Sequence, residues 1–141
     1  MVDDSIEQLV EAARGASRNA YCPYSGFAVG AALLTTDGRV FTGCNVENAS
    51  YGLTVCAERN AVGQMVAAGG RGILAVAVYA SSNSAPRPCG ACLQVLSEFG
   101  PEARVIAVCS GDDRLEGTLA GLLPEPFRPS ALERAEGKGT D

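Results

Sequence analysis

Apolar and polar positions along the chain follow two rhythms. Between residues 4 and 19, Ile6, Leu9, Val10 and Ala13 recur at helical spacing with Glu and Arg between them. That pattern predicts an amphipathic helix, with Asp3 or Asp4 as its cap. After a punctuated loop (AYCPYSG, 20–26), Phe27 to Thr35 reads as a strand, Asp37-Gly38 as a tight turn and Arg39 to Thr42 as the hairpin partner. Gly43 to Thr54 is irregular and polar. Thr54 to Ala68 carries an apolar stripe of Val62, Met65 and Val66 and stops at Gly69-Gly70, as a helix does. Ile73 to Tyr79 is a continuous apolar run of strand length, which predicts a central strand. Cys89 to Phe99 predicts a second short helix that starts after Pro88 and ends at Gly100-Pro101. Arg104 to Cys109 predicts another strand and Leu115 to Leu119 a short edge strand. Three prolines follow, then a helical turn, and from about residue 131 a polar tail.

Strands alternating with helices predict an α/β fold: a three-layer α/β/α sandwich, with one mixed sheet of about five strands and helices on both faces. At 141 residues, with no internal repeat and no linker, the chain is expected to form a single domain over 1–141.

Charge and composition narrow the chemistry. The chain has 11 basic and 16 acidic side chains, a net charge of −5, and its ten arginines are scattered with no two adjacent. Phosphate backbones are met by clustered cations, so no nucleic-acid partner is expected and a small neutral substrate fits better. No window approaches 18 uninterrupted apolar residues, so no membrane association is expected. The acidic, polar start does not suit a signal peptide, and a reduced cytoplasmic setting is the expectation. There are six cysteines and no histidine. A metal site must therefore be built from thiolates and carboxylates, and no Ser-His-Asp or Cys-His machinery is available. A carboxylate or a lysine must move protons, and the one lysine, Lys138, lies in the tail.

Cys89-Gly-Ala-Cys92 places two thiols on one face of a helix start, where free N–H groups favour thiolate. This pair is either a redox dithiol or half of a metal site. Cys56-Ala-Glu58 lies at the start of the other helix and brings the thiol count to three. Three thiolates hold zinc and leave its fourth position open, with Glu58 the nearby group able to move protons. Positions i and i+2 do not share a helix face, so Cys56 must sit at the very first turn on irregular backbone. Arg59 can hydrogen-bond the sulfurs and offset their charge. Cys22, Cys44 and Cys109 are read as bystanders. If one of them were a fourth ligand, the site would be structural and Glu58 would have no role beside it.

Cys56-Ala-Glu58 followed by Pro88-Cys-Gly-Ala-Cys92 matches the three-cysteine form of the zinc-dependent deaminase signature. More closely, the chain resembles the small homotetrameric cytidine deaminases that act on free nucleosides. The likeness is carried by Tyr24-Ser-Gly-Phe27, Gly43-Cys-Asn45-Val-Glu47-Asn-Ala-Ser-Tyr51, Cys56-Ala-Glu-Arg-Asn-Ala61, Pro88-Cys-Gly-Ala-Cys-Leu-Gln-Val and Leu122-Leu-Pro-Glu-Pro-Phe127. It implies hydrolytic deamination of cytidine and deoxycytidine in pyrimidine salvage, with one zinc per subunit held by Cys56, Cys89 and Cys92. It further implies that Glu58 shuttles protons between water, ring N3 and the departing amine. Asn45 and Glu47 would hold the ribose 3′-hydroxyl, Phe27 would pack on the pyrimidine, and backbone near Ala57 and Cys89 would read the base edge. Tyr51 and Phe127 would reach the active sites of neighbouring subunits in a homotetramer. Other readings of the same residues stay open here: loop capping for Asn45 and Glu47, plain core for Phe27, and a generic interface for Tyr51 and Phe127. The chain departs from many relatives at Leu93, where they carry an arginine, and in the approach Ser84-Ala-Pro-Arg87-Pro88. A deaminase of another nucleoside-like substrate, such as a blasticidin-type antibiotic, shares the same signature.

Overall fold

A computed structural model of the chain describes residues 3–132. Helix α1 (Asp3–Ser17) is followed by β1 (Val29–Thr35), β2 (Val40–Cys44), a 3-10 turn at Tyr51–Leu53, α2 (Ala57–Ala67), β3 (Ile73–Ala80), α3 (Gly90–Phe99), β4 (Arg104–Cys109), β5 (Arg114–Thr118), a one-turn α4 (Leu119–Leu122) and a final 3-10 turn at Pro129–Leu132. The five strands form one sheet in the order β2-β1-β3-β4-β5. The β1 strand is antiparallel to both β2 and β3, β3 is parallel to β4, and β5 is antiparallel to β4. The apolar run Ile73–Ala80 is thus the middle strand of a mixed sheet. The hairpin partner runs two residues further than expected, to Cys44, and α4 has no counterpart in the hydrophobic pattern. The expected polar tail from about residue 131 falls outside the described residues, apart from Ala131 and Leu132.

Alternation of side chains along the strands divides the core into two layers. On one face α1 lays Ile6, Leu9, Val10 and Ala13 over Ala32, Ala75, Ala77, Ile106 and Val108. On the other, α2 and α3 lay Ala57, Ala61, Met65, Leu93 and Leu96 over Ala31, Leu33, Val76, Val78 and Val105. The sequence suits a close-packed sandwich because the central strands carry so many alanines, which let the helices settle near the sheet. Glycine extends the same logic. A Cβ on Gly43 of β2 would lie 2.5 Å from both the Ala57 carbonyl oxygen and the Ala61 nitrogen, so the first turns of α2 rest directly on this strand. Gly30 of β1 does the same for the backbone of α1 at Ala13 and Ser17.

Topology then positions the helix starts. Strands β2, β3 and β4 run in one direction, since β2 and β3 are both antiparallel to β1 and β3 is parallel to β4. Helix α2 follows β2 and α3 follows β3. Both helices therefore begin at the carboxyl edge of the parallel strands, the place where open α/β sheets gather their ligands. No helix among the described residues is long and apolar enough to cross a membrane.

Replacing Gly43 with alanine forces α2 away from β2, and overpacking of this kind costs about 1–3 kcal/mol. The expected result is a lower urea midpoint with an unchanged slope, together with a loss of bound zinc, because Cys56 moves with the helix.

Candidate metal centre and the cavity above it

Cys56 is the residue that immediately precedes α2, with extended backbone (φ −71°, ψ 157°), and Cys89 stands in the same position before α3 (φ −70°, ψ 167°). The condition set by the Cys56–Glu58 spacing is met this way. Extended backbone at Cys56 turns its side chain off the helix path, while Glu58 occupies the first turn. Cys92 lies in the first turn of α3, fully buried, and its N–H donates to Cys89 Sγ at 3.5 Å. The Sγ atoms of Cys56, Cys89 and Cys92 all lie within 4.8 Å of one another, and those of Cys89 and Cys92 are 3.5 Å apart. A tetrahedral zinc with Zn–S bonds of about 2.3 Å separates its sulfurs by about 3.8 Å. The three thiols thus form a cluster that fits one zinc ion per chain, and the soft donor set suits that metal.

No fourth protein ligand among the described residues joins them. Among the described residues this is the one group of three or more metal-ligating side chains that converges on a point. Cys109 is buried at the end of β4 and donates to the Asp113 carbonyl, while Cys22 and Cys44 are half-buried elsewhere. All six cysteines are free thiols. A closed four-cysteine structural site is therefore not what the chain builds.

The electrostatics follow from burial and from Arg59. Partial burial pushes the Cys89 thiol up, but hydrogen bonds from the Cys92 N–H and from neighbouring thiols outweigh it and lower its pKa. Burial, then the charges of Glu58 and Cys56, push the Cys92 thiol up. Arg59 Nη2 donates to Cys56 Sγ at 3.4 Å, and its contacts with Cys56 and Cys92 raise its own pKa further. Its Nε is buried with no hydrogen-bond partner among the described residues. A cation is thus held against sulfurs that would otherwise repel one another as thiolates, which suits a metal with a surplus of anionic ligands. Glu58 is only 4% exposed, and desolvation raises its pKa above the ordinary carboxylate range, against the opposing pull of Arg59.

Above the cluster lies a cavity of about 210 Å3. Phe27, Asn45, Ala57, Glu58, Cys56 and Cys89 all line it. Phe27 does not open β1 and is not core: it lies two residues before the strand and is 44% exposed. Asn45 is buried and ties the start of β1 in place. Its Oδ1 accepts from the Val29 N–H at 2.9 Å, and its Nδ2 donates to the Phe27 carbonyl at 2.8 Å. Glu47 accepts from the N–H groups of Tyr24 (3.0 Å) and Ser25 (3.1 Å) and from the Ser25 hydroxyl. These bonds, the hydroxyl's foremost, keep its carboxyl below the usual range and ionised. Both residues do cap a loop, yet each keeps free capacity. An amide used once on each side has one donor and one acceptor site left, and a carboxylate used three times has one. Glu47, Tyr24, Ser25 and Tyr51 line a second depression, which has Thr54 in common with the first. Tyr51 is 75% exposed and meets Tyr24 edge-on, with ring centroids 5.8 Å apart. Phe127 lies apart from this cavity and lines a groove beside the carboxyl half of α3. Leu93 is buried in the core with α2 and α3. Hydrophobic patterning did not single out Thr54, Val78 or Pro86, which also line the cavity; Thr54 and Pro86 could have been found from their closeness in sequence to Cys56 and Cys89.

Residues 3–109 match the family model described as the cytidine and deoxycytidylate deaminase zinc-binding region. The chain belongs to this family. Curated relatives include a cytidine deaminase of Mycobacterium tuberculosis, 48% identical over 134 residues that cover 95% of this chain and 98% of the relative. Another, from Sporosarcina psychrophila, is 43% identical over 132 residues that cover 92% of this chain and 96% of the relative. The crystal structure of cytidine deaminase from Burkholderia pseudomallei superposes with a TM-score of 0.82 at 47% identity, covering 90% of this chain and all of that one. The matched stretch contains all three thiols of the cluster.

Replacing Cys92 with serine removes one of three sulfurs from a site that has no fourth to substitute. The variant is expected to bind zinc at least tenfold more weakly when titrated against a competing chelator, the change that corresponds to a loss of about 1.4 kcal/mol or more.

Proposed function

We propose that this chain catalyses the zinc-dependent hydrolytic deamination of cytidine and 2′-deoxycytidine, giving uridine or 2′-deoxyuridine and ammonia, as a step of pyrimidine salvage. The observation that carries this reading is a buried glutamate in the first turn of a helix whose preceding residue belongs to a three-thiol cluster with no fourth protein ligand among the described residues, both facing one cavity. Cys56, Cys89 and Cys92 hold the metal. Bound there, zinc supplies the Lewis acidity that makes water a nucleophile near neutral pH.

Glu58 takes a proton from the attacking water and delivers it to ring N3, then takes the remaining proton of the hydroxyl now on C4 and passes it to the departing amine, which leaves as ammonia while C4 becomes a carbonyl. Its raised pKa suits this work, because a group that both takes and gives protons works best with a pKa near the operating pH. Phe27 packs on the pyrimidine, and backbone at Ala57 and Cys89 reads the base edge. The free sites of Asn45 and Glu47 hold the sugar 3′-hydroxyl. An acceptor-only group beside an amide fills both bonding sides of a hydroxyl, the arrangement that discriminates against substrates lacking it. Arg59 offsets the charge of three thiolates. With Leu93 in the core, that duty falls on Arg59.

Four chains form the working assembly in this reading. Tyr51 and Phe127 are exposed aromatics outside their own chain's catalytic cavity, and each is assigned to the active site of a neighbouring subunit. The six free thiols and the absence of a membrane-crossing helix among the described residues support a place in the cytoplasm.

Glu58→Gln keeps the shape and removes the proton carrier. The expected outcome is full zinc content with ammonia release slowed by about 10²- to 10⁴-fold; near-normal turnover would sink the mechanism. Ammonia measured across cytidine, deoxycytidine, free cytosine, cytidine monophosphate and a blasticidin-type antibiotic is expected to be highest for the two nucleosides.

A further inference from the structure

We infer that Gln94 is a positioning residue: its carboxamide clamps the backbone of Phe127 and thereby fixes where that ring projects. The inference rests on the reading that Phe127 completes a neighbouring subunit's site. Gln94 Nε2 donates to the Phe127 carbonyl at 2.9 Å, and the Phe127 N–H donates to Gln94 Oε1 at 2.9 Å. One planar side chain thus grips both polar groups of one residue across 33 positions of sequence. A carboxamide is the side chain that offers one donor and one acceptor side by side in this way.

The surrounding sequence makes the clamp consequential. Pro124, Pro126 and Pro129 flank Phe127. They stiffen the segment and contribute no N–H of their own, so it has few other means of attachment. Arg128 Nη2 donates to the Pro124 carbonyl at 3.2 Å, which closes the segment on itself rather than onto the domain. The ring of Phe127 is nonetheless 61% exposed. A large apolar side chain held in solvent by two hydrogen bonds and flanking prolines has already lost much of its freedom, so contact with a partner costs less. Gln94 is two residues beyond Cys92 on α3, the helix that also presents Cys89 and Cys92. One rigid helix therefore sets both the metal ligands of its own subunit and the ring offered to the next.

The test compares Gln94→Glu, Gln94→Ala and Phe127→Ala, with cytidine as substrate. Glutamate has the same shape but only accepts, so its oxygen faces the Phe127 carbonyl without a proton between them. Expected for Gln94→Glu and Gln94→Ala are unchanged zinc content and sedimentation, KM raised about tenfold and kcat changed far less. Combining either with Phe127→Ala is expected to add little to Phe127→Ala alone. Co-expression with an excess of Glu58→Gln subunits, inactive but carrying an intact clamp, is expected to bring KM at the remaining sites back toward the parent value.

Loss of zinc in the Gln94 variants would overturn the inference by showing that the residue serves its own metal site. Normal KM in the Gln94 variants beside a raised KM in Phe127→Ala would overturn the clamp alone. Normal KM in Phe127→Ala would remove the reading on which it rests. Failure of the mixed assemblies to recover would place the effect within one subunit and overturn the inference in its present form.

Discussion

Three sulfurs from two different helices have to meet within a few ångströms, and the rest of the molecule is arranged around that requirement. Thiolates gathered at one point repel each other, so the gathering must be imposed by the backbone before any cation arrives. The sheet imposes it. Two helices begin at one carboxyl edge, each directly preceded by a cysteine in extended conformation. Gly43 lets α2 sit on β2 without a side chain between them. Alanines in the middle strands bring both helices down onto the sheet. Stability and metal binding are thus largely one property, because the packing that buries Met65 and Leu96 also sets the spacing of the thiols.

Charge is handled with equal economy. The same burial that raises Glu58 raises Cys92, so the cavity floor resists carrying several negative charges at once. Arg59 lies one residue from Glu58 and touches Cys56, which lets a single cation act on both. The depressed pKa of Glu47 shows the opposite solution in the neighbouring depression: there the carboxylate stays charged because two N–H groups and a hydroxyl surround it. Two acidic residues 11 positions apart in sequence therefore do different work, one by desolvation and the other by hydrogen bonding.

Much of this was legible in the residues. The helical stripe of Ile6 to Ala13 and the apolar run at Ile73 report burial directly, and burial is what hydrophobic periodicity records; the glycines at 69–70 and 100 instead mark where the backbone leaves the helix. The cysteine spacing carried the metal site because few other arrangements need three thiols and a carboxylate at two helix starts. Three things were not legible. Phe27 reads as the start of a strand because its neighbours are apolar, but Asn45 takes its carbonyl and leaves the ring at the cavity. Helix α4 is four residues long, too short for a periodic signal. The Gln94 clamp joins residues 33 apart through one amide, and no local pattern encodes a contact of that range.

Asn45 caps a loop that frames the cavity and also lines it, and Glu47 does the same for the neighbouring depression. A residue with both duties cannot be exchanged for the sake of one. Changing either also loosens the segment from Tyr24 to Val29 that carries Phe27, so the shape of the depression is mechanically coupled to the wall of the cavity. Reshaping this part of the scaffold is accordingly a problem of rebuilding a loop. Variation in what the chain accepts is most easily obtained at the cavity positions that carry no such burden, of which Arg87 is the clearest.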